Sequence, residues 1–141
     1  MTAGRLDRVG TYLADHTRAG DEVLTLWAQP AGLASGRDNV PDVTVGVFSY
    51  EDLRTADARD LHYVNAELLA RTLRDGRPAA VVLTGIDDLV FSFTGTFSDR
   101  AQDRQMVLDA LESRYRLVAR DVGWGANGPT PVRIYLRDDR R

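Results

Sequence analysis

The sequence predicts a three-layer, Rossmann-like α/β domain with a mainly parallel sheet and a C-terminal antiparallel hairpin. Three observations lead there. Helix and strand periodicities alternate along most of the 141 residues, the inner strand segments are short and apolar on both sides, and the last two strand patterns are joined by a glycine-rich turn. A chain of this length, 43% hydrophobic and 28% charged, supports one domain, residues 1–141, around a real core.

Leu6, Val9 and Leu13 recur at the spacing of one helix face, and Gly20 with Asp21 and Glu22 closes the pattern, so residues 3–18 are expected to be helical. The segment VLTLW, residues 23–27, has the length and composition of a strand. Pro and Gly in AQPAGLASGRDNVPD then break it, giving a loop or a short helical turn. TVGVFSY, residues 44–50, is apolar on both alternating faces and reads as a second strand covered on both sides.

The clearest helix is expected over residues 57–75, where Leu61, Val64, Leu68 and Leu73 keep one face apolar and Gly76 with Pro78 provides the stop. AAVVLT reads as a short, fully buried strand, and residues 88–97 as a β-prone loop able to add an edge strand. Asp99, with Gln102 three residues on, can cap a helix whose inner face is Val107, Leu108, Leu111 and Tyr115. RLVARDV and PVRIYLR complete the pattern as two half-buried, paired strands. In the second, Val132, Ile134 and Leu136 alternate strictly with Arg133, Tyr135 and Arg137.

Composition excludes several functions. The net charge of -3 comes from 18 basic and 21 acidic residues spread along the chain, which leaves no basic stripe for a phosphate backbone and no expectation of a nucleic-acid partner. Without cysteine there is no disulfide framework, thiolate nucleophile or thiolate-bound metal, and this fits either redox compartment. The longest apolar runs fall far short of the roughly 20 residues that span a bilayer, and the N-terminus lacks a signal-peptide apolar core. The chain fits a soluble piece of a longer membrane protein as well as a complete one.

Gly123, Gly125 and Gly128 match the spacing G-x-G-x-x-G of a dinucleotide loop. Such a loop must lead from a strand into a helix whose free N–H groups hold the pyrophosphate. Here Pro129, Thr130 and Pro131 lead into strand residues, so a hairpin connection is expected and no cofactor.

Two histidines are too few for a zinc site without cysteine, and no metal site is expected. His16 reads as packed at a core margin, and His62 as flanking the inner face of its helix. The pairs Asp87, Asp88 and Asp138, Asp139 read as a turn and a solvated tail. None of Ser35, Ser49, Ser92, Ser98 and Ser113 lies in G-x-S-x-G, and no catalytic residue is assigned. Arg37, Asp38, Asn39 and Tyr50, in a polar loop near a strand end, are the candidates for ligand or partner contact. The competing reading is that they only fix a long crossover loop. Trp124, on the glycine turn, is a further contact candidate.

Taken in order, YLADHTRAGDEVLTL, SGRDNVPDVTVGVFSYED, HYVNAELLARTLRDGRPAAVVLT and ALESRYRLVARDVGWGANGPTPVRIYLR cover nearly the whole chain. Together they resemble the soluble, extracytoplasmic C-terminal region of membrane glycosyltransferases of the protein mannosyltransferase and aminoarabinose transferase type. That resemblance implies a non-catalytic domain of an enzyme using lipid-linked sugar donors. Its partner would be the membrane-embedded region of the same protein, and its work acceptor contact, active-site covering or assembly. The family's catalytic acid lies in an early loop with no counterpart here. A stand-alone ligand-binding protein, or a reduced methyltransferase-like enzyme in the cytoplasm, is the alternative reading. A small domain that dimerises through a sheet edge is a third.

Overall fold

A computed structural model describes residues 3–43, 46–85, 87, 101–124 and 130–139. Its elements are α1 (Ala3–His16), β1 (Glu22–Thr25), α2 (Gln29–Ser35), β2 (Asp38–Asn39), a 3-10 turn (Gly46–Ser49), α3 (Thr55–Asp60), α4 (Ala66–Arg74), β3 (Ala80–Thr84), α5 (Ala101–Arg114), β4 (Tyr115–Trp124) and β5 (Thr130–Arg137). The five strands form one mixed sheet in the order β2-β1-β3-β5-β4. β2, β1 and β3 run parallel, while β5 is antiparallel to both β3 and β4. The fold is therefore α/β, with the expected hairpin at one edge.

Strand alternation divides the core between the two sides of the sheet. Leu24, Val81 and Leu83 join Leu69 and Leu73 of α4 and Val107 and Leu111 of α5 in one cluster. Val23, Ala80 and Val82 join Val9 and Leu13 of α1, Ala31 of α2, and Val132 and Ile134 of β5 in the other. Successive strand residues point to opposite faces, so two adjacent apolar residues serve two different cores. Each such Val or Leu contributes about 1.5–3 kcal/mol by leaving water. β3 is buried at every position, as its unbroken apolar run predicts.

Gly10 shows how closely α1 lies on α2. A Cβ there would stand 2.6 Å from the Ala34 Cβ, so a larger residue would force the helices apart. At the far edge, β4 pairs with β5 through two register shifts and exposes Arg116 and Arg120. Bulges and charges of this kind discourage edge-to-edge pairing.

Three expectations need correction. Residues 44 and 45 lie outside the described residues; residues 46–49 form a 3-10 turn rather than a strand, with Gly46 at φ 64, and among the described residues of the segment Tyr50 alone makes a bridge, to Val64. Alternating apolar residues suggested extension, but Gly46 sits in the left-handed region against the Leu26 carbonyl, where a Cβ would collide. The single helix expected over 57–75 is two. Leu61 is exposed, His62 has φ 59, and Asn65 starts α4 by accepting the Leu68 N–H at 2.9 Å. The apolar spacing ran across the break because Val64 is buried from an extended backbone rather than a helical one. Lastly, Tyr115 starts β4 instead of facing inward from the helix, though it is buried and its hydroxyl donates to the Pro78 carbonyl at 2.9 Å.

Candidate functional site

The parallel strands β1 and β3 both end at one edge of the sheet, where an open α/β fold exposes its carboxyl-terminal crevice. Asp87 closes the base of that crevice. Its side chain is fully buried; Oδ1 accepts the Trp27 N–H at 2.9 Å, and Oδ2 accepts the Thr84 N–H at 2.5 Å and the Thr84 hydroxyl at 2.9 Å. A carboxylate with that many donors fixes two strand ends to each other. A turn is expected at Asp87; it is instead a helical residue just past β3, and its buried carboxylate is an internal clamp. Asp88 lies outside the described residues, and Asp139 is exposed and accepts the Arg137 Nε–H at 2.8 Å.

Arg37, Asp38 and Asn39 come together at a shallow depression of about 230 Å³ beside Thr25 and Gly32. Two of the three side chains are used internally. The Arg37 guanidinium donates to the Ala14 carbonyl (3.1 Å), the Thr17 carbonyl (2.9 Å) and the Thr17 hydroxyl (2.9 Å), satisfying the end of α1, which has no helical partners for its last carbonyls. The Asn39 amide accepts the Thr25 N–H at 3.0 Å and donates to the Thr25 carbonyl at 2.8 Å, extending the β1–β2 ladder by one rung. Asp38 is the exposed member. Tyr50 is 1% exposed and packs in the core with Val40 and Val43, so it offers no surface for contact. Reading the loop as self-fixing accounts for Arg37 and Asn39.

The glycine segment joins β4 to β5, with Trp124 opposite Thr130. Gly125 and Gly128 lie outside the described residues, as does the side chain of Trp124. A strand on each side supplies no helix N-terminus for a pyrophosphate. The β-prone segment 88–97 and the cap Asp99 likewise fall outside the described residues.

Neither histidine is buried. His16 is exposed, stacks on Tyr12 with ring centroids 3.9 Å apart, and bonds the Tyr12 carbonyl through Nδ1 at 2.8 Å. His62 projects from the break between α3 and α4, 3.6 Å from Asp42. No cluster of three or more potential metal ligands occurs among the described residues. No helix among them is long and apolar enough to cross a membrane.

A cleft of about 540 Å³ lies between residues 52–55, the start of α4 and the start of α5. Its polar groups serve local structure: Thr55 donates to Glu67 at 2.6 Å, and Asn65 donates to the Leu53 carbonyl at 2.8 Å while capping α4. Displaced pKa values also mark scaffold contacts. Arg54, Arg77 and Arg137 are raised by hydrogen bonds to Asp57, Glu22 and Asp139, and burial raises the Tyr115 phenol.

Sequence reasoning missed two exposed aromatic side chains at the carboxyl edge. Trp27, 41% exposed, follows β1 directly, and Phe48, 69% exposed, stands on the 3-10 turn that Gly46 seats against Leu26 and Gln29. Both fall in segments whose sequence predicts covered strands, residues 23–27 and 44–50. The signal for Phe48 was Gly46, which ends an extended run. The chain matches no known protein family, no curated protein and no solved structure.

Proposed function

We propose that this chain is a non-catalytic contact domain of a membrane glycosyltransferase that uses lipid-linked sugar donors, docking through the carboxyl edge of its sheet. The resemblance of the four ordered segments supplies the family. The exposed pair Trp27 and Phe48 carries the docking reading, because large aromatic side chains left on one rim anchor interfaces while the polar candidates beside them serve the fold. The domain would then assist acceptor contact, active-site covering or assembly on the extracytoplasmic side of the membrane. Its three-layer, Rossmann-like arrangement is part of the same reading, supported by helices packed on separate clusters from opposite faces.

The test replaces Trp27 and Phe48 with aspartate in the native gene. Sugar transfer is expected to fall while the melting temperature of the isolated domain stays within a few degrees of the parent. Unchanged transfer would remove the docking role. A stand-alone cytoplasmic ligand-binding protein or methyltransferase-like enzyme is the second reading, favoured by the terminal hairpin after the α/β units. It predicts that nucleotides or S-adenosylmethionine raise the melting temperature.

A further inference from the structure

Away from that edge, a pocket of about 290 Å³ opens between the chain after β2 and one face of α4. Arg71, Thr72 and Asp75 line it from the helix, at spacings that place them on one side. Arg59 enters from the end of α3 and Arg77 from the turn after α4, so three guanidinium groups from three segments surround one small volume. Asp42 and Asp75 are the two carboxylates of the lining, and Glu67 and Glu22 outside it pair with Arg71 and Arg77, so Arg59 is the guanidinium of the lining that no carboxylate holds among the described residues.

The donors are only partly used. A guanidinium carries five N–H groups. Arg77 gives Nε and one Nη to Glu22, at 2.7 and 3.2 Å, and Arg71 gives one Nη to Glu67 at 3.3 Å. The Arg59 carbonyl accepts the His62 N–H at 3.2 Å, but the Arg59 guanidinium makes no hydrogen bond or ion pair among the described residues. All 18 basic residues of the protein are arginine, and planar guanidinium forks match the edges of a phosphate better than an ammonium does.

We propose that this pocket binds a small phosphate-bearing ligand, with Arg59 as its anchor and Arg71 and Arg77 completing the cradle. The volume lies just under the roughly 300 Å³ at which ordinary ligand pockets begin, so it admits a phosphate with a short substituent and not a dinucleotide. Thr72 and Tyr63, also in the lining, supply hydroxyls for the phosphate or its substituent. Asp42 and Asp75 oppose an anion, and that opposition fixes the sign of a mutational test. The site is independent of whether the domain belongs to a transferase.

The experiment is calorimetric titration of the chain with inorganic phosphate and with glycerol 3-phosphate at low salt. Cosedimentation with phosphatidylcholine vesicles, with and without phosphatidic acid, runs beside it. Saturable binding is expected, weakened about tenfold or more by Arg59→Ala and strengthened severalfold by Asp75→Asn, since one charge-assisted contact is lost in the first and a like charge removed in the second. Both side chains are exposed, so circular dichroism melting should hardly change in either variant. Vesicle binding that requires phosphatidic acid and Arg59 assigns the phosphate to a lipid headgroup; binding of the soluble anions alone assigns it to a soluble ester. Absence of binding in every arm overturns the proposal, and so does an Arg59→Ala variant that binds as well as the parent or an Asp75→Asn variant that binds more weakly.

Discussion

The carboxylate of Asp87 and the backbone N–H of Trp27 meet at 2.9 Å, although 60 residues separate them in sequence. Together with the two bonds to Thr84, this contact holds the carboxyl ends of β1 and β3 at a fixed distance. Trp27 consequently leaves the sheet at a set angle, with its indole partly in solvent.

Removing the clamp strands buried donors. Asp87→Ala is expected to destabilise the fold by at least about 2 kcal/mol, because unsatisfied buried N–H groups cost about 1–3 kcal/mol each. Urea unfolding measures it. A variant as stable as the parent would show that water or rearrangement replaces the carboxylate.

Arg37 tests the self-fixing loop. Its guanidinium closes the end of α1 through the Ala14 and Thr17 carbonyls, so Arg37→Ala should cost about 1–2 kcal/mol in urea unfolding. Arg37→Ala should also leave phosphate binding at the Arg59 pocket unchanged. A variant with parental stability would return Arg37 to the list of free contact residues.

Tyr115 sets a pH dependence. Burial raises its phenol above the ordinary value, against the opposing influence of Arg137 and Arg114, so the folded state keeps the neutral form. In the unfolded chain the phenol ionises near about pH 10. Above that pH the unfolded chain binds fewer protons than the folded one, and stability falls as pH rises. This contribution is fully present below about pH 10 and declines above it. Tyr115→Phe should cost about 1 kcal/mol at neutral pH, through loss of the bond to Pro78, and should flatten the alkaline decline. Urea unfolding near about pH 8 and about pH 11 compares the two proteins. Equal alkaline losses would contradict the assignment.

What the sequence made legible follows from the range of the forces involved. β3 and the β4–β5 hairpin were readable because an unbroken apolar run, or strict alternation, states burial directly in local sequence. α2 carried a readable signal too: Pro30 in its first turn and Gly36 at its left-handed cap are the normal signs of a short helix, yet the same residues also mark loops. β2 was not legible. Asp38 and Asn39 are poor strand formers, and their place in the sheet depends on Thr25, whose backbone accepts and donates to the Asn39 amide. The Arg59 pocket was equally hidden, since Arg59, Arg71 and Arg77 share its lining with Pro41 and Asp42 of the chain after β2 only in the folded protein. Long-range pairing decides such features, and no local window contains it.

The proposed place of this domain in a larger membrane-bound transferase has a simple cellular consequence. Fractionation of native cells, followed by immunoblotting with an antibody raised against the domain, tests it most directly. A band well above 15.6 kDa that stays in the membrane pellet after a high-salt wash is expected. A 15.6 kDa band confined to the supernatant would contradict it.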